Sequence, residues 1–114
     1  MRLPTLRRRS EFDQAFEHGD SARSDGLRLF ARDNGLAHNR FGFVVTSKVG
    51  NAVVRNRVRR WSRELFADWS PRLRPGHDLV LLVHRQQAAE SFDEFRSHLR
   101  RACHSLRLAE GLNG

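Results

Sequence analysis

Apolar residues recur along this chain with two periods, and together the two predict an α+β domain. Alternation marks the strands. From Arg40 to Thr46, Phe41, Phe43 and Val45 take one face and Arg40, Gly42, Val44 and Thr46 the other, the period-two pattern of a strand. Residues 27–32 (Leu-Arg-Leu-Phe-Ala-Arg) read as a second strand, followed by a turn at Asn34-Gly35. Leu79 to Val83 is an unbroken apolar run, short enough for a strand buried on both faces.

Helical spacing marks the rest. Phe12, Ala15 and Phe16 predict a short helix, with Ser10 as its cap and Gly19 as its stop. Over roughly Val53 to Asp68, a helical advance of about 100° per residue gathers Val54, Val58, Trp61 and Leu65 within about a quarter of the circumference. Ser70-Pro71 ends this helix, and Pro75-Gly76 marks another turn. Ser91-Phe92-Asp93-Glu94 is a capping box that opens a last helix, whose apolar face is Phe92, Phe95, Leu99, Cys103 and Leu106. The order is α-β-β-α-β-α with at least three strands. Residues 1–114 are expected to make one domain, with 1–9 a flexible basic arm and 108–114 a frayed tail.

Charge changes this picture in one place above all. The 114 residues carry 21 Lys+Arg against 13 Asp+Glu, and only Lys48 among those cations is lysine. Arginine holds a phosphate through a planar fork and stacks on bases, so the bias suits nucleic acid; a GC-rich genome would also favour arginine, though not an excess of positive charge. Six cations fall in the sixteen residues from Lys48 to Arg63, a stretch with no carboxylate. On the predicted helix Arg55, Arg59, Arg60 and Arg63 lie away from the apolar stripe and Arg57 flanks it. Such a ridge repels itself unless an anion neutralises it, and a phosphate backbone is the usual one.

The run Lys48-Val49-Gly50-Asn51-Ala52-Val53-Val54-Arg55-Asn56-Arg57 resembles the Arg-Asn-Arg signature of the protein subunit of bacterial ribonuclease P. The resemblance extends over about residues 5–107. It takes in the basic arm, the helix Glu11-Phe12-Asp13-Gln14-Ala15-Phe16-Glu17-His18-Gly19, the strand Arg40-Phe41-Gly42-Phe43-Val44-Val45-Thr46, a buried strand and a terminal helix. It implies a sandwich with a four-stranded sheet and a left-handed β-α-β crossover, against the general right-handed rule. It also implies a ribonucleoprotein that removes 5′ leaders from precursor tRNA, with catalysis by the RNA subunit through Mg²⁺ ions held mainly by RNA.

The implied partners are the ribonuclease P RNA and precursor tRNA, not DNA or a membrane. Lys48, Asn51, Arg55, Asn56, Arg57, Arg59, Arg60 and Arg63 match positions that contact the catalytic RNA. Phe12, Phe16 and Phe30 match aromatic positions of a cleft for the single-stranded leader, with Val44 and Thr46 on its wall. Phe30 stands where relatives often have tyrosine, Val44 where a small polar residue is common, and Trp61 where an aliphatic residue is usual.

Each feature also has a plainer reading. Phe12 and Phe16, four apart on a helix, are by themselves more typical of core than of a stacking platform, and Gly50-Asn51 is the turn into the basic helix. The six histidines show no metal-ligand spacing with nearby acids, Cys103 reads as a buried small hydrophobe, and no catalytic residues or metal site on the protein are expected. No apolar run approaches the roughly 20 residues of a membrane helix, and the chain is expected to be cytoplasmic. A structural RNA-binding module such as a ribosomal protein fits the composition too. A major-groove DNA reader fits less well, because a strand and not a helix precedes the basic helix.

Overall fold

The computed structural model describes residues 3–112, which form four strands and three α-helices. The helices are α1 (Arg9–His18), α2 (Ala52–Trp69) and α3 (Phe92–Ser105). The strands are β1 (Asp20–Ser24), β2 (Leu27–Asp33), β3 (Arg40–Val45) and β4 (His77–Val83). The sheet order is β1-β2-β4-β3. β1 and β2 form an antiparallel hairpin, and β4 runs antiparallel to β2 and parallel to β3. The turn at Asn34-Gly35 therefore does not join sheet neighbours: β4 inserts between β2 and β3, after a crossover through α2. The sheet has the four strands that the resemblance implies, one more than periodicity alone finds.

Alternation along the strands serves two cores. Leu27, Leu29, Phe41, Val45, Leu79, Leu81 and Val83 face α2 and α3, packing with Val58, Leu65, Phe66, Trp69, Phe95 and Leu99. Phe30 and Val80 face the other way and pack with Leu6 and Ala15, with Phe12, Val44 and Leu82 at the edges. The continuous apolar run of β4 is thus explained by a sheet covered on both sides. The stripe on α2 is longer than its first four members indicate. Phe66 and Trp69 are fully buried and extend it by a turn, while Val54 and Trp61 only flank the core.

Both ends of the chain depart from expectation. The described part of the arm is docked: Leu6 is buried, its amide donates to Phe41 O at 2.8 Å, and Phe41 N donates to Pro4 O at 2.9 Å. The arm lengthens the sheet edge beside β3, and α1 starts at Arg9, with Arg8 rather than Ser10 at the cap position. At the other end Leu108, Ala109 and Leu112 join the main core, and Arg74 N donates to Leu108 O at 2.7 Å. Residues 108–112 are held by apolar burial, not frayed. Residues 1–2 of the arm and 113–114 of the tail lie outside the described residues.

Candidate nucleic-acid interface

The basic helix is positioned by its apolar side and by its cap. Asn51 Oδ1 accepts from Val54 N at 3.0 Å, satisfying one of the free amides of the first turn. No acidic residue stands in that turn, so its positive dipole end adds to the cationic field. Gly50 is needed just before the cap, because a Cβ there would come within 2.9 Å of Val54 Cβ.

Beyond the cap the cations are presented in different ways. Arg57 lies over the Trp61 ring at 5.2 Å and donates from Nη2 to Ala89 O at 3.1 Å. Arg63 lies over Phe43 at 5.8 Å, and Arg59 Nη1 donates to Asn56 Oδ1 at 3.1 Å. Arg60 is exposed and only 3.9 Å from Glu64, the first carboxylate after the basic run and a weak partner at such exposure. Lys48, Asn51 and Asn56 are exposed, and Arg55 is half-buried. The Nε atoms of Arg55 and Arg57 are buried without a partner among the described residues. All eight predicted positions lie on α2 or on the turn that opens it.

The aromatic residues gather on the opposite side of the sheet, between it and α1. Phe12 is half-buried against Gly42, where an added Cβ would come within 2.5 Å of the ring. Glycine at that strand position is what lets the ring lie on β3. Phe16 is 36% exposed and meets Phe30 edge-on at 4.9 Å. Phe30 itself is only 6% exposed, closed in by Phe16 on one side and by the Arg28 guanidinium, 4.9 Å from its ring centre. Phe16 is thus the ring most open to solvent, with Phe30 as its backing. Val44 and Leu82 are half-buried beside them. Thr46 continues β3 with its amide donating to Val83 O at 3.0 Å, and its hydroxyl is buried without a partner among the described residues.

One cluster ties this side together, and periodicity gives no sign of it. Arg40 binds Asp78 through Nε and Nη2, both at 2.8 Å, and Glu11 Oε2 through Nη1 at 2.7 Å. Asp78 is 1% exposed and also accepts from Asn34 Nδ2 at 3.0 Å. Glu11 Oε1 accepts the amides of Arg8 and Arg7 at 2.9 and 3.2 Å. Those amides, and then the Arg40 charge, hold the Glu11 carboxyl below its ordinary value. A single guanidinium therefore joins the arm, α1, β3 and β4. Arg40, Glu11 and Asp78 are 29 and 38 residues apart in sequence, so only the folded register reveals them.

Among the described residues no group of three or more His, Cys, Asp or Glu is placed to hold a metal ion. Burial pushes the Cys103 thiol up to about 12, which leaves it a packing residue. No helix is long and apolar enough to cross a membrane among the described residues.

Comparison with known proteins gives the family and the fold. A profile of the ribonuclease P family matches residues 2–107. The ribonuclease P protein component of Natranaerobius thermophilus is 41% identical over 81 residues, 71% of this chain and 70% of that protein. That of Alkaliphilus metalliredigens is 29% identical over 103 residues, 90% of this chain and 93% of that protein. The RNase P protein from Thermotoga maritima, solved with 1-(4-fluorophenyl)-2-thiourea, superposes with a TM-score of 0.76 at 33% identity, over 84% of this chain and 94% of that one. The Staphylococcus aureus RNase P protein shares the fold with a TM-score of 0.86 at 22% identity, over 96% of this chain and 100% of that one. The chain belongs to the ribonuclease P protein family, the protein components of a tRNA-processing ribonucleoprotein.

Proposed function

We propose that this chain binds the catalytic RNA of ribonuclease P through the basic side of α2 and receives the 5′ leader of precursor tRNA in the cleft between α1 and the sheet. The observation that carries the reading is the segregation of two chemistries onto opposite faces of one sheet. α2 presents arginines with almost no counter-charge, suited to a folded RNA backbone. The α1 side presents a partly exposed phenylalanine backed by a second ring, suited to unpaired bases of any sequence. In this reading Mg²⁺ is held mainly by the RNA subunit and supplies metal-assisted phosphodiester hydrolysis. The protein's own part is to add affinity and to lessen phosphate repulsion where Mg²⁺ is scarce.

Reconstitution with a bacterial ribonuclease P RNA tests this directly. At low Mg²⁺ the RNA with this chain should cleave precursor tRNA to the mature 5′ end, while the RNA alone should need high Mg²⁺. Site-specific, metal-dependent cleavage by the protein without RNA would contradict the division of labour.

A further inference from the structure

On the α1 face of the sheet the side chains change character along the strands. Beneath α1 the row in register is Phe30, Val80 and Gly42. Two residues along, it is Arg28, Leu82 and Val44, and β1 adds Arg23 directly opposite Arg28. At this end a pocket of about 390 Å³ opens, with Arg23, Arg28, Leu82, His84 and Arg85 around it and one carboxylate, Asp25, among them. On this face an aromatic row is thus followed, two residues along the strands, by a cationic one.

Two arginines directly opposite each other on antiparallel strands repel, and the protein does not relieve them. Among the described residues Arg23, Arg28 and Arg85 make no ion pair, and Asp25 lies 3.7 Å from His98 instead. Nor does Arg28 turn away. Its Nε and Nη2 donate to Ser21 Oγ at 3.1 and 2.9 Å while the guanidinium packs on Phe30. That leaves an oriented fork with uncommitted donors, the form in which arginine recognises phosphate. His84 sits in the same field: burial first, then the charges of Arg85, Arg23, Lys48 and Arg28, hold its imidazole below the ordinary range. Three arginines, Arg23, Arg28 and Arg85, therefore line one pocket.

We infer that the pocket bounded by Arg23, Arg28, His84 and Arg85 is a phosphate-binding station, which takes a backbone phosphate of single-stranded RNA leaving the aromatic part of the cleft. The assignment rests on the cleft's being the path of the leader, and it gives that path a direction: bases stack at Phe16, and the strand continues past Arg28 toward Lys48 and the basic helix.

The test uses the enzyme reconstituted with its RNA subunit and precursor tRNAs whose leaders grow one nucleotide at a time. Wild type is compared with an Arg23→Gln, Arg28→Gln double variant. Mature tRNA and the shortest leaders should bind both alike. From one leader length onward the double variant should lose roughly tenfold in affinity, and its log–log salt slope should be shallower by about 0.7 for each lost single-strand phosphate contact. Its melting temperature should stay level or rise, because the opposed charges are gone. Arg28→Lys should keep the slope and lose only part of the affinity, since it retains the charge and drops the fork.

If the double variant matches wild type at every length while Phe16→Ala still weakens precursor binding, the pocket is overturned and the cleft stands. A loss equal at all lengths, including none, also overturns the pocket. If wild type itself binds precursor and mature tRNA equally, the cleft reading fails and the pocket fails with it.

Discussion

The basic surface of α2 and the aromatic cleft beside α1 are held in opposite ways. The α2 surface is the back of a helix whose front supplies Val58, Leu65, Phe66 and Trp69 to the main core. Its cations are displayed by an element that cannot move without unfolding the domain. The cleft is built on α1, ten residues long, with Ala15 as its only fully buried residue. A helix that short is marginal by itself, so its place depends on a small apolar cluster and on the Arg40 hub. Assembly with RNA should thus tolerate local damage, while leader recognition should depend on a few contacts around α1.

The largest effect expected is at the hub. Arg40→Gln leaves the Asp78 carboxylate buried without its counter-charge and releases Glu11, which should cost about 3–5 kcal/mol of folding stability, read from denaturant melts. The surviving folded protein should lose precursor affinity more than affinity for the catalytic RNA. A loss well under 1 kcal/mol with the cleft intact would show that α1 is anchored elsewhere.

On the ridge, Arg57→Ala combined with Arg60→Ala should weaken assembly with the catalytic RNA. The log–log salt slope should flatten by up to about one unit per lost phosphate contact. Arg57 also leaves the Trp61 ring and the Ala89 carbonyl, so part of its effect will be salt-independent lost packing. An unchanged slope would mean that neither side chain meets phosphate.

The smallest effect is acidic. Because the folded state holds Glu11 below its ordinary 4.5, the stabilisation from this group is complete above that value and is lost as pH falls through the lower, folded one. Glu11→Gln should therefore flatten the decline of stability below about pH 4.5 and leave other acid-sensitive groups to act. An identical acid limb in the variant would remove Glu11 from the hub's energetics.

How much of this was legible in sequence follows from where each signal is local. β3, β4, α2 and α3 are strongly patterned, and their positions follow from period alone, to within about two residues at the ends. β1 is not, because Asp20–Ser24 is an edge strand with no buried residue, so no apolar alternation marks it. The docked arm and tail were invisible for a different reason. Leu6 and Leu112 are single apolar residues in polar surroundings and Leu108-Ala109 is only a pair, and only the tertiary fold supplies the surface that buries them. The candidate site divides in the same way. The Arg-Asn-Arg helix announces itself by charge density, whereas the aromatic cleft needs the family resemblance, since Phe12 and Phe16 by spacing alone look like core. The Arg40 hub and the Arg23–Arg28 pair depend on register, which no periodicity contains.

The separation of the two regions is tested most directly by one measurement: the affinity of Phe16→Ala, assembled with its RNA, for precursor tRNA relative to mature tRNA. Phe16 is the most exposed of the cleft rings, and only the precursor carries a leader to stack on it. The account predicts a loss of about 1–3 kcal/mol for precursor, none for mature tRNA, and unchanged affinity for the catalytic RNA in a variant that melts near wild type. Equal losses for precursor and mature tRNA in that well-folded variant would contradict it.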